Sequence, residues 1–241
     1  NTDGSRFIFL LRFFSESPPL PTYTVTADIR GGTITKIFGF GSHYHWKDKN
    51  TLALSGRNIF ERKDLKRMTL YEIEDKTGTH REVDCDFFIG DGHCSYSPDR
   101  RYLLYDSYTS MEFPYRKLQI YDVEQKKGIT LGYFLSDPEL YNGIDDCRCD
   151  LHPRWSPCGS YITFDSIHEG FRGIYRIESE EAVRELNRNI AELSKEEIAR
   201  LINHVPQEAV STPLEEYPLK MLILATGEKI SRRLGIYKIV K

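Results

Sequence analysis

The chain has 241 residues and a formal net charge of -3, so no basic field recommends it to nucleic acid or to an anionic membrane surface. Aromatic residues make up 12%, with Tyr and Phe far outnumbering Trp, which suits strands better than a helical bundle. No apolar run approaches the ~20 residues of a membrane span, and no phosphate-cradling glycine loop leads into a helix, which argues against a nucleotide or nicotinamide enzyme.

The elements follow one pattern along the chain. "TDGSRFIFLLRF" (2–13) reads as a turn followed by a strand, and "TYTVTADIRGGTITKIF" (22–38) as two alternating strands joined by a glycine turn. "HYHWKDKNTLALSG" (43–56) starts a new unit with a histidine three places before a tryptophan, and "KRMTLYEIEDKTGTHREV" (66–83) continues it as a hairpin. The same order returns in "HCSYSPDRRYLLYDS" (93–107) with "KLQIYDVEQKKGITLGYF" (117–134), and again in "HPRWSPCGSYITFDS" (152–166). The last two openings align without a gap as His-x-x-aromatic-Ser-Pro-x-x-x-Tyr, three apolar or Thr residues, then Asp-Ser. Pro presets φ at the second position of such a turn, and Asp or Gly accepts the tight geometry that follows.

Four short antiparallel strands recurring every 50 to 60 residues predict an all-β fold, a β-propeller with about four recognisable blades over residues 1–178. The first unit begins at its second strand, so a fragment of a larger ring is the expectation. Residues 179–205 depart from the pattern. Val183, Leu186, Ile190, Leu193, Ile198, Leu201 and Ile202 have helical spacing, and "SKEE" from Ser194 reads as a capping box. Two short amphipathic helices are predicted there, followed over 206–241 by a strand-rich tail that packs on the propeller.

The innermost strand of a blade comes first, so its leading residue faces the central channel. His43, His93 and His152 hold that place in three units and are expected to converge. Converged imidazoles suit Mn, Fe or Zn; the same histidines also suit a role as structural hydrogen-bond hubs. His45, two residues after His43, is a lesser candidate for the same face. Asp106 and Asp165 end the second strands at matching places, where they are expected to cap backbone groups. His168 and Arg172, in "SIHEGFR" past the second strand, are candidate rim contacts for an anionic substrate. The five cysteines, Cys85, Cys94, Cys147, Cys149 and Cys158, are odd in number and lack framework spacing, as reduced thiols of a cytoplasmic protein would be.

"SHYHWKDK", "GDGHCSYSPDRRYLLYDSY" and "DLHPRWSPCGSYITFDSIHEG" together resemble blades of the oligogalacturonate lyase-like propellers, within the wider TolB-like (WD40-like) class of repeat. The resemblance covers about residues 1–178. It implies a seven-bladed-type ring, β-elimination on uronate oligosaccharides, and a divalent metal, typically manganese, held by three histidines and a glutamine. Carried over by position, His152 corresponds to the last ligand, and His43 and His93 to histidines heading neighbouring blades. The family pattern Gln-x-x-His-Pro-His reads Cys147, Asp150 and His152 here, which makes Asp150 a candidate ligand in place of imidazole. The resemblance thus implies a metal set of His43, His93, His152 and Asp150, with His168 or Arg172 as base or substrate contact and an oligosaccharide or other small anion as partner. The other class of function that suits the repeats is a non-catalytic propeller that binds a glycan or a protein on its rim.

Overall fold

A computed structural model describes residues 1–13, 22–58, 68–108, 115–136, 149–169 and 171–187, and the backbone of 237–239. They form four antiparallel sheets and one helix. The first sheet has β1 (Arg6–Arg12), β2 (Thr22–Asp28) and β3 (Thr35–Phe38); the second has β4 (Phe40–Trp46), β5 (Thr51–Arg57), β6 (Thr69–Glu74) and β7 (His80–Glu82). The third is β8 (Cys94–Tyr96), β9 (Tyr102–Asp106), β10 (Tyr115–Asp122) and β11 (Lys127–Leu135). The fourth is β12 (Arg154–Trp155), β13 (Tyr161–Ser166), β14 (Gly173–Glu178) and β15 (Tyr237–Ile239). Every sheet is a meander in chain order, and the leading strands lie side by side, β4 against β8 and β8 against β12. This is the blade arrangement of a β-propeller. The first sheet holds three strands among the described residues, and its β1 matches the second strand of the other blades.

The strand patterns explain why the sheets stack. Side chains alternate across a strand, and in the middle blades both faces are apolar. Leu52 and Leu54 pack with Ile8, Ile37 and Phe38 of the first sheet, whereas Ala53 between them joins Tyr96, Leu103 and Tyr105 of the third. Leu104, one residue along from Leu103, faces the opposite way, into a cluster with Ile162, Phe164 and Ile177 of the fourth sheet. Three inter-sheet cores result, and each fully buried Leu or Ile contributes roughly 1.5–3 kcal/mol.

The two Ser-Pro turns fold alike. The Ser97 and Ser156 N–H groups donate to the Tyr102 and Tyr161 carbonyls at 2.8 Å, and the Tyr102 and Tyr161 N–H groups donate to the Ser97 and Ser156 hydroxyls. The fourth turn residue is left-handed in both, Arg100 at φ 67° and Gly159 at φ 74°. Helix α1 (Ser179–Asn187) follows β14 and buries Ala182 and Leu186, four apart on one face, in the core between the third and fourth sheets. The second predicted helix, including Ser194, lies outside the described residues, as does Cys147. The described part of the tail, β15, pairs with β14 and completes the fourth sheet. Among the described residues no helix is long and apolar enough to cross a membrane.

Candidate metal centre at the channel end of the inner strands

His43 lies on β4, while His93 and His152 stand just before β8 and β12. Their rings form a row, His43 to His93 and His93 to His152, each with centroids 3.8 Å apart. Glycine makes room for this row. A Cβ on Gly92 would lie 2.1 Å from the Asp106 carbonyl oxygen and 2.7 Å from the Tyr105 ring, so only a bare Cα lets the chain pass there and set His93 over Asp106.

Asp106 is fully buried and organises two blades. Its carboxylate accepts the His93 N–H at 2.6 Å, the His93 ring Nδ1 at 3.0 Å and the His152 N–H at 3.0 Å. The Asp106 N–H in turn donates to the His93 carbonyl. A carboxylate with these partners is an acceptor, so His93 carries its proton on Nδ1 and offers Nε2. The same logic holds for His152, whose Nδ1 faces the Asp150 carbonyl at 3.3 Å. His152 also has φ 42°, a left-handed backbone directly before Pro153, and such outliers gather at functional sites.

Ligand atoms of His93, Asp150 and His152 all lie within 4.8 Å of one another, and this is the one such group of His, Cys, Asp and Glu among the described residues. Two imidazoles and a carboxylate fit a borderline or hard divalent ion such as Mn, Fe or Zn. Asp150 also accepts from Arg116 at 2.7 Å, and Arg116 is itself buried, bonded to the Ser107 carbonyl and the Ser136 hydroxyl. His43 stands beside the group. Its Nε2 is 2.8 Å from the Tyr108 hydroxyl and 3.8 Å from an Asp91 carboxylate oxygen. Burial, then the adjacent His93 ring, holds the pKa of both His43 and His152 below the ordinary 6.5.

The remaining predicted residues occupy the same end of the blades. The Asp165 N–H donates to the Leu151 carbonyl, next to His152, and Arg172 pairs with Asp165 at 3.4 Å. Burial pushes the Cys149 thiol up to about 11, with Arg172 and Arg116 close enough to pull the other way. His168 packs on Phe134 and Tyr175, its Nδ1 2.8 Å from the Ser166 hydroxyl. Neither His168 nor Arg172 belongs to the close ligand group. His45 turns to the neighbouring blade, where its Nδ1 accepts the Tyr96 N–H at 3.3 Å. Arg116, Tyr108 and Asp91 escaped the sequence reading. The signal that could have found Asp91 is the repeat itself, since Asp91 precedes His93 by two residues as Asp150 precedes His152.

An open depression of about 440 Å³ borders Asp91 and Tyr108, beside His43. A larger cleft, about 520 Å³, lies at the other end of the same strands, against the Ser-Pro turns and α1. The imidazoles lie at the same end as the smaller space, whose lining includes Asp91 and Tyr108 but none of the histidines.

No protein-family model matches the sequence, and no curated protein does. Among solved structures, TolB from Acinetobacter baumannii is similar with TM-score 0.51 and 20% identity, over 72% of this chain and 39% of that one. A putative TolB from Agrobacterium tumefaciens has TM-score 0.46 and 18% identity, over 67% of this chain and 54% of that one. An oligogalacturonate lyase in complex with manganese has TM-score 0.45 and 19% identity, over 67% of this chain and 40% of that one. The chain thus spans from 39% to 54% of the length of these proteins. Blade order, strand register and the likeness to the Acinetobacter protein together make the fold that of a β-propeller.

Proposed function

We propose that the channel end of this propeller binds a divalent metal through His93, His152 and Asp150 and acts as a lyase on uronate-containing oligosaccharides. The observation that carries the reading is the mutual closeness of those three ligand atoms, with both ring Nε2 atoms left free by acceptors at Nδ1. A divalent cation held there supplies a Lewis acid for a uronate carboxylate, which raises the acidity of the proton next to it. His43, kept neutral at pH 7 by burial and by His93, is a base beside that position, and Tyr108 holds its ring. Arg116 steadies Asp150. Arg172 and His168, on the same end of the fourth blade, are the proposed contacts to the rest of an anionic sugar chain.

The test is a screen of uronate oligomers with Mn supplied, read as the ultraviolet absorbance of an unsaturated product. Absorbance that rises with the native chain and not with His93→Ala supports the lyase. Absence of product from every oligomer tested, with metal bound, overturns it and leaves a metal-dependent glycan-binding propeller.

A further inference from the structure

Tyr108 joins the histidine row to the depression beside it. Its hydroxyl lies 2.8 Å from the His43 Nε2, and His43 stacks on His93, one of the three close ligands. On its other side Tyr108 lines the space of about 440 Å³ together with Ile89, Gly90, Asp91 and Ser107. A space of that size falls within the range of small-ligand clefts, roughly 300–1,000 Å³. The buried Arg116 guanidinium stands over the Tyr108 ring, 5.3 Å from its centroid. A fixed cation there favours the negative charge that a departing proton leaves on the phenol.

The lining also has a definite character. Ile89 is 55% exposed and offers an apolar surface to the C–H face of a sugar. Among the described residues, Asp91 is the one charged group in that lining. Its Oδ1 accepts the Ser55 hydroxyl at 2.7 Å and the Gly92 N–H at 2.9 Å, and its Oδ2 lies 3.8 Å from the His43 Nε2.

Resting on the lyase reading above, we propose that the depression holds the sugar that departs in the elimination, that this sugar is uncharged, and that Tyr108 protonates its oxygen. The His43 Nε2 takes the proton from the carbon beside the uronate carboxylate. The electron pair of that C–H bond forms the new C=C bond, and the bond from the neighbouring carbon to the glycosidic oxygen breaks. The Tyr108 O–H turns from His43 to that oxygen and gives it the proton. His43 then returns its own proton to Tyr108 across the 2.8 Å contact, so nothing else is consumed. Asp91 sets the class of the departing sugar. Hydroxyls of a neutral sugar donate to its carboxylate, whereas a second uronate there brings like charges together.

The experiment uses the full chain with Mn and three methyl uronides that differ in the group on O4. One carries a neutral hexose, one a second uronate, and one para-nitrophenyl, which departs without needing a proton. Tyr108→Phe keeps the ring, and its folding is checked by circular dichroism. Its kcat/KM for the hexose compound should fall at least about a hundredfold further than for the nitrophenyl compound, the scale of general-acid catalysis. The native chain, independent of any variant, should cleave the hexose compound about two- to fivefold faster than the uronate compound, the scale of a partly exposed charge contact. Asp91→Asn should narrow that gap. Equal losses on the hexose and nitrophenyl compounds would overturn the proton donor and leave Tyr108 a support for His43. A native preference for the uronate compound would overturn the neutral subsite. Failure of the native chain on all three compounds would instead remove the lyase reading, and this inference with it.

Discussion

The inner strands have two ends that are built on different rules. At the turn end each Ser-Pro unit closes on itself, with the serine bonded to the tyrosine five residues on. At the channel end two of the three aligned histidines, His43 and His152, are held across a blade boundary. Asp106 of one blade accepts from the His152 N–H of the next, 46 residues away, and Tyr108 reaches His43 across 65. The comparison teaches that repetition builds the scaffold and brings the histidines to one place, and that contacts between blades hold them there. It also predicts that damage at the channel end spreads to two blades, whereas damage at a turn stays in one.

The largest effect should come from Asp106→Ala. It strands two backbone N–H groups and the His93 ring in a buried place, at a cost of roughly 3–5 kcal/mol, read as a lower urea midpoint. Asp106→Asn should recover only part of that loss, because the charge that holds Nδ1–H is gone. The matching change at the turn end, Ser156→Ala, should cost about 1 kcal/mol. If both variants lose the same amount, the contrast between the ends is wrong.

Acid should separate the ends next. His43, His45 and His152 all titrate below the ordinary 6.5, burial being the first cause in each case. Their folded pKa values are depressed, so the unfolded chain takes up protons first as pH falls below 6.5. The stability they contribute is present above that pH and is lost as pH drops towards the folded values. A urea midpoint that falls between pH 7.5 and 5.5, less steeply in His43→Gln, is the expected outcome. A flat midpoint across that window would remove the packed neutral histidines from the account.

The smallest change belongs to the turns. Arg100 holds the left-handed place that Gly159 fills in the next blade. Arg100→Gly should therefore leave stability unchanged or raise it by up to about 1 kcal/mol, with no effect on the channel end. A loss of stability on thermal unfolding would mean that the Arg100 side chain holds more than its backbone suggests.

Much of this was legible in the chain, for a physical reason. The alternation in "TLALSGR" and "RYLLYDS" has period two and reports sheet faces directly, and the Ser-Pro turns bond within six residues. His43, His93 and His152 could be aligned because the repeat carries them to one place. Asp106 was readable as a cap, and it is one, though its reach to His152 was not. Arg116, Tyr108 and Asp91 act through contacts that depend on how blades lean on one another, and single-chain periodicity carries no record of that. The unequal standing of His43, beside the close ligand group, has the same origin.

The most direct test of the metal centre is a calorimetric titration of metal-free protein with Mn and with Zn at pH 7.5. The native chain is set beside His43→Ala and the double variant His93→Ala/His152→Ala, with folding checked by circular dichroism. The account predicts one ion per chain in the native protein, weaker binding in His43→Ala, and loss of binding in a folded double variant. No saturable binding in the native protein, or binding unchanged in the double variant, would contradict it.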